Sequence, residues 1–177
     1  IPRVVRAGAE PGAPRLQLED VALKDWRLGV TGLSLDVRAG EIVGLAGLEG
    51  NGQQLLLRAC AGLHRPAAGH LALDGRELAG RGYRAFRASG VAYVPADRMA
   101  EGLVAGMTLA EHAALVSPDR SFRVRWDEAA RAAGHCIAEY RVKGRPEDRV
   151  EALSGGNQQR ALLGLLPPDV RLLLMEH

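Results

Sequence analysis

Two short stretches of this chain carry glycines and polar residues at spacings suited to holding an anion. The first is Gly47-Leu48-Glu49-Gly50-Asn51-Gly52-Gln53-Gln54. Against the phosphate-binding pattern G-x-x-x-x-G-K-[ST], Gly47 and Gly52 stand at the matching positions and the last two residues do not. Glycines are needed there because the backbone must wrap closely round phosphate oxygens, with its N–H groups and a helix N-terminus aimed at the anion. Gln53 replaces the lysine that neutralises the β- and γ-phosphates, and Gln54 the hydroxyl that ligates magnesium. Taken alone, such a loop is equally well read as a tight strand-to-helix turn without a ligand. The second stretch is Leu153-Ser154-Gly155-Gly156-Asn157-Gln158-Gln159-Arg160. A serine cap followed by two glycines leaves several backbone N–H groups open at a helix start, which makes a second anion site.

The elements that must position these stretches follow from the apolar periodicity. Leu16–Leu23 and Leu33–Val37 alternate as strands do. Ala39-Gly40 turns the chain into Glu41–Ala46, expected as a buried strand feeding the first glycine loop, and Leu55–Ala61 follows as an apolar helix stopped at Gly62. His70–Leu73 with Asp74-Gly75 reads as a strand meeting a tight turn, and Val91–Val94 as a short buried strand stopped by Pro95. From Leu109 to Tyr140 the period becomes helical, with Ala129, Ala133, Ile137 and Tyr140 as one apolar stripe. Ser154 opens a helix that Pro167-Pro168 ends. Leu172–Met175 is expected as a last buried strand, in the same sheet as Glu41–Ala46.

Bulk properties narrow the function class. The 177 residues suffice for one domain with a real core, and the near-balanced charge, +2, argues against a dedicated nucleic-acid binder. Cys60 and Cys136 lack CxxC spacing and read as small buried apolar residues. His64, His70, His112 and His135 show no ligand spacing and read as surface or packing residues. Arg120, Arg123, Arg125, Arg141, Arg145 and Arg149 read as a solvated face, with a membrane partner as the other option. No run approaches the ~18 apolar residues of a spanning helix. The chain opens on Ile1-Pro2-Arg3 without an initiator methionine and stops at Met175-Glu176-His177, so it is expected to be cut from a longer one.

The Leu153–Arg160 stretch resembles the ABC signature sequence, in the variant with Asn157-Gln158-Gln159 after the glycines. With the glycine loop upstream, nearly the whole chain is similar to the ATP-binding cassettes of ABC transporters. The resemblance implies an α/β P-loop NTPase fold: a mixed or parallel sheet, an antiparallel N-terminal β part and an inserted helical lobe at about residues 100–160. It places an interdomain linker at residues 1–15 and the ATPase domain at 16–177. Tyr93-Val94-Pro95-Ala96-Asp97-Arg98 with Glu101-Gly102-Leu103-Val104 is similar to the Q-loop region of sugar and nucleoside importer ATPases, with Ala96 where the glutamine normally stands. Leu172–Glu176 resembles the Walker B strand, with Glu176 at the magnesium-linked aspartate and His177 at the glutamate that polarises water. Trp26 lies near the aromatic that stacks under adenine, and core packing is an equally open reading.

The closest pattern is the second, degenerate cassette of tandem-cassette importers for simple sugars or nucleosides. That implies ATP and Mg2+ as ligands, membrane permease subunits and a second cassette in the same chain as partners, and an extracellular solute-binding protein as an indirect one. It also implies a peripheral position on the cytoplasmic face of the membrane. A hydrogen bond to a charged group contributes about 1.5–3 kcal/mol, so glutamine in place of lysine weakens ATP roughly 10–100-fold. The nucleotide residues are then Gly47, Gly50, Asn51, Gly52, Gln53 and Gln54, the signature Leu153 to Gln158, and the catalytic positions Glu176, His177 and Ala96, with Glu176 a possible Mg2+ ligand. Two other classes remain open. A non-transport ABC ATPase acting on ribosomes or DNA usually inserts long basic linkers or coiled coils, and none is visible between Arg98 and Leu153. A cassette with a structural role alone would keep the fold without turnover.

Overall fold

A computed structural model describes residues 12–117 and 122–176. They fall into two compact units, one reaching to Tyr93 and taking in Arg171–Glu176, the other spanning Val94–Val170. Residues 1–11 of the expected linker lie outside the described residues, while Pro14 and Arg15, assigned to it, open the first strand.

The first unit is built on an antiparallel sheet of order β2-β1-β3-β4, with β1 Pro14–Lys24, β2 Gly29–Arg38, β3 Ala68–Leu73 and β4 Arg76–Glu77. Leu16 and Leu18 face the core, and two residues of the opposite parity, Val21 and Leu23, do so further along. A simple strand cannot do this, because its side chains alternate with period two. The parity changes at a bulge: the ladder with β2 shifts register between Leu18 and Val21 and that with β3 between Glu19 and Ala22, and Asp20 adopts φ 48°. Gly69 of β3 lies against the bulge with φ 88°, and a Cβ there would stand 2.4 Å from the Asp20 carbonyl oxygen.

Helix α1, Gln53–Cys60, buries Leu55, Leu56, Ala59 and Cys60 in the same core as the sheet's Leu16, Leu18, Leu71 and Leu73. It closes with paired bonds, Leu63 N–H to Arg58 C=O and Gly62 N–H to Ala59 C=O, with Gly62 left-handed at φ 73°. The short helix α2, Tyr83–Ala88, adds Phe86 to this core.

Strands β5, Val91–Val94, and β6, Leu172–Met175, form a separate two-stranded sheet. Arg171 and Leu172 N–H donate to Gly90 C=O at their starts, and Tyr93 bonds Glu176 at their ends, so they run in the same direction. β6 is buried on one face only: Leu172 and Leu174 point inward, whereas Leu173 and Met175 are exposed.

The Glu41–Ala46 expectation is corrected. Residues 41–48 form no strand, and Ile42 is 72% exposed. A strand persists only where a neighbour completes its hydrogen-bond ladder, and no described strand pairs with this run, so its apolar residues do not make it one.

The second unit is helical: α3 Leu109–Val116, α4 Trp126–Tyr140 and α5 Gly155–Gly164, with a wide turn at Arg98–Gly102. Thr108 and Glu111 start α3 with a reciprocal capping box. The stripe of α4 is corrected in part, since Ala129, Ala133 and Cys136 are buried while Tyr140 is exposed. Gly164 explains why Cys136 turns inward there: a Cβ on Gly164 would stand 2.3 Å from the Cys136 sulfur, so the glycine lets α4 and α5 close up. α5 ends at Gly164, three residues before Pro167.

Candidate functional site

In the first unit the glycine loop runs into the N-terminus of α1. Gly50 (φ 85°) and Gly52 (φ 99°) take backbone conformations that side chains disfavour, and Gly52 is the residue at which α1 begins. Asn51 N–H donates to Leu48 C=O at 3.2 Å and closes the turn. No acidic residue of α1 itself stands in its first turn, so the helix's own sequence does not offset the partial positive charge of its N-terminus.

The two glutamines point in different directions. The Gln53 side chain folds back across Gly47 and its amide donates to Leu48 C=O at 3.3 Å. A Cβ at position 47 would stand 2.1 Å from that amide nitrogen, so Gly47 is what lets the side chain lie over the loop. The Gln54 amide instead donates to Oε1 of Glu176 at 2.5 Å, and the Tyr93 hydroxyl donates to Oε2 of the same carboxylate. Residues 122 positions apart thus meet at the ends of α1, β5 and β6. Tyr93 is a member of this cluster that motif matching alone passes over. The available signal was a tyrosine in an otherwise apolar strand, whose hydroxyl requires a partner when the ring is half-buried.

Trp26 is 83% exposed, with the Arg27 guanidinium 4.3 Å over its ring. Core packing is therefore not its role. Its turn is held by Asp25, which accepts from the N–H groups of Arg27 and Leu28 at 2.7 Å each. The Arg27 N–H, followed by that of Leu28, keeps the Asp25 carboxyl below its ordinary range. His177 lies outside the described residues.

The second unit holds the other stretch. Ser154 occupies the cap position of α5, but its hydroxyl makes no bond to a backbone N–H. It accepts from the Asn157 side-chain amide at 2.9 Å instead, which corrects the expected side-chain cap. Asn157 is buried at 8% exposure, and its Oδ1 accepts from the Lys143 N–H at 3.0 Å. The Gln158 amide donates to Val150 C=O at 3.1 Å, and Leu153 is buried. With the cap hydroxyl engaged elsewhere, the N–H groups of Gly155 and Gly156 have no partner among the described residues. No atom lies within 4 Å of a Cβ position on Gly156, so this face is open.

Arg98 adds positive charge here. Its Nη2 lies 3.4 Å from the Cβ position of Gly155, and its buried Nε has no hydrogen-bond partner. Asp97 holds the turn that carries it, accepting from Met99 and Ala100 N–H at 3.1 and 2.9 Å. Ala96, Asp97, Arg98, Met99 and Gln158 line a shallow depression of about 330 Å³. Ala96 is exposed and contributes only a methyl group.

The sequence profile of the ABC transporter family matches residues 30–174. The ribose import ATP-binding protein of Chromobacterium violaceum is 39% identical over 97% of this chain and 35% of its own length. The nucleoside import ATP-binding protein of Lactococcus lactis is 38% identical over 89% of this chain and 33% of its own. The chain thus spans about a third of the length of these relatives. Among solved structures, cbiO1 of Clostridium perfringens, part of the transporter complex cbiONQ, superposes with a TM-score of 0.70 at 17% identity. It covers 94% of this chain and 65% of its own, a likeness of fold.

Proposed function

This chain belongs to the ABC transporter family, and from that premise we propose that it is an ATP-binding cassette of an importer for a simple sugar or a nucleoside. Within the importer it is the weaker of two cassettes, one that completes its partner's ATP site more effectively than it serves its own. The domain takes in β1 from Pro14 and runs to 177, with a helical lobe at about 100–160, and the residues before β1 are a linker to a first cassette in the same chain. It sits on permease subunits at the cytoplasmic face of the membrane, and an extracellular solute-binding protein delivers the solute. No described helix is long and apolar enough to cross a membrane.

The observation that carries this reading is the contrast between the two anion sites. At the first, the loop backbone and the start of α1 would hold phosphates, yet Gln53 brings a neutral amide and Glu49 a negative charge. At the second, the Gly155 and Gly156 N–H groups and the Arg98 guanidinium form an open, positively polarised helix start. ATP supplies the free energy when it is hydrolysed. The part of this chain's signature helix is to place fixed donors where charge develops on the phosphoryl group of a partner's nucleotide.

The test requires the complete transporter. Ser154→Arg puts bulk and a second positive charge onto the signature helix start and is expected to abolish most ATPase activity and transport. Gln53→Ala alters the weak site and is expected to leave both largely intact. Equal damage from the two substitutions would refute the assignment.

A further inference from the structure

We infer that this chain's glycine loop takes nucleotide phosphates without a divalent cation, because Gln54 and Tyr93 hold the Glu176 carboxylate that would otherwise ligate one. The inference rests on the nucleotide-site reading above and goes beyond it, for it concerns what stands in place of the metal. In the family pattern, a hydroxyl from the first turn of the helix and a carboxylate at the end of the neighbouring strand share one magnesium ion. Mg2+ demands near-octahedral oxygen ligands at about 2.0–2.1 Å and gives up its waters reluctantly.

The groups present do not fit that requirement. Oε1 of Glu176 accepts from the Gln54 amide at 2.5 Å, and Oε2 accepts from the Tyr93 hydroxyl. Only the NH2 end of an amide can donate to a carboxylate, so the partner fixes the orientation of Gln54. Its oxygen is then turned away from Glu176, and the two side chains cannot face a common cation. A cation on either oxygen would have to share it with a hydrogen-bond donor already in place, without a second oxygen from Gln54 to complete its shell. No cluster of three or more His, Cys, Asp or Glu side chains exists among the described residues to supply the missing charge.

The bond between Gln54 and Glu176 also does mechanically what a shared ion would do. It ties the first turn of α1 to the end of β6, and Tyr93 ties the end of β5 to the same point. Tyr93 is thus a positioning residue that keeps the carboxylate committed. The phosphates meet only neutral donors: the loop N–H groups, the start of α1 and the Gln53 amide.

The first arm of the test needs no nucleotide. Mn2+ serves as a paramagnetic probe for a divalent site, and the Gln54 side-chain amide signals are followed by NMR on the labelled chain. At millimolar Mn2+ these signals are expected to persist in the wild-type protein. In Gln54→Thr and in Tyr93→Phe, where one oxygen of Glu176 loses its donor, backbone amides flanking Glu176 are expected to broaden. Gln54 is exposed and phenylalanine keeps the Tyr93 ring, so both variants are expected to fold.

The second arm measures the affinity for a fluorescent ATP analogue in EDTA and in Mg2+. The wild-type value is expected to change less than about twofold, whereas Gln54→Thr gains about tenfold or more with Mg2+, a difference of ~1.4 kcal/mol. Loss of the wild-type Gln54 signals with Mn2+, or a tenfold dependence of wild-type ATP affinity on Mg2+, overturns the inference. Absence of ATP binding in both buffers would refute the nucleotide reading instead, and the Mn2+ arm would still decide whether Glu176 is closed to a cation.

Discussion

Asn157 separates the stability of the signature helix from its electrostatic role. Its Oδ1 accepts from Lys143 N–H at 3.0 Å and its amide donates to the Ser154 hydroxyl at 2.9 Å, so one side chain ties the segment after α4 to the cap of α5. Asn157→Ala removes both bonds. A net hydrogen bond contributes about 1 kcal/mol, and both orphaned partners sit on exposed residues where water takes them up, so the expected cost is ~2 kcal/mol. That corresponds to about a 30-fold faster hydrogen exchange at the Lys143 amide, provided that amide exchanges by local opening. Asn157→Asp keeps the acceptor for Lys143 and loses only the donor to Ser154. Its carboxylate is buried, which costs desolvation, but it lies in the first turn of α5, where the helix dipole favours a negative charge. The Lys143 N–H bond to it also becomes charge-assisted, so its stability cost is expected to stay below that of Asn157→Ala. The same charge stands in the first turn of α5, next to Gly155 and Gly156 in the chain, and lowers the positive potential that a phosphate would meet at that helix start. In the complete transporter, Asn157→Asp is therefore expected to lose more ATPase activity than Asn157→Ala although it is the more stable of the two. Denaturant unfolding and native-state hydrogen exchange give the first ranking, and phosphate release gives the second. Identical rankings in both assays would show that Asn157 acts only through stability.

Gly69→Ala is expected to destabilise the first unit by at least about 2 kcal/mol in denaturant unfolding, since it combines φ 88° with a Cβ 2.4 Å from the Asp20 carbonyl oxygen. Burial pushes the Cys60 thiol up to about 12. At pH 8 it should resist iodoacetamide in the native protein and react once unfolded, as mass spectrometry will show. The Thr108 N–H holds the Glu111 carboxyl below its ordinary value. Because that value is lower folded than unfolded, the capping box adds stability above the unfolded pKa and loses it as pH falls through the folded one. Glu111→Gln should flatten this acid limb in circular-dichroism melts of α3-containing protein.

Where a signal was local, the sequence showed it plainly. Alternating leucines in β1 and β3, the glycine after α1 and the Ser-Gly-Gly start of α5 each depend on residues a few positions apart. The bulge in β1 was legible only in part. The parity change from Leu18 to Val21 is visible in the sequence, but the glycine that leaves room for it, Gly69, lies on another strand. The expected strand at Glu41–Ala46 fails because an apolar run specifies neither a ladder partner nor, here, burial, since Ile42 is 72% exposed. Tyr93 was missed for a related reason. Its role depends on the arrival of Glu176, 83 positions later, at the end of the adjacent strand.

The departures from the phosphate-loop pattern are not independent losses. Gln53 follows a path that a lysine could also take, back over Gly47 to the loop carbonyl, so the shape of the loop survives while its charge does not. Gln54 satisfies Glu176 directly, which removes the cost of leaving a carboxylate at a strand end without a cation. Restoring one group alone should therefore perform worse than the pattern suggests. Gln53→Lys adds a positive charge near the phosphates but leaves Glu176 committed, so ATP is expected to tighten without gaining magnesium dependence. Gln54→Thr frees the carboxylate but leaves the phosphates short of a cation on their other side. Only the pair together supplies both charges, and a double-mutant cycle on ATP affinity in Mg2+ should show coupling of about 1 kcal/mol or more beyond additivity. Strict additivity would mean that the two glutamines act separately, and that the bond from Gln54 to Glu176 has no bearing on how this loop meets a nucleotide.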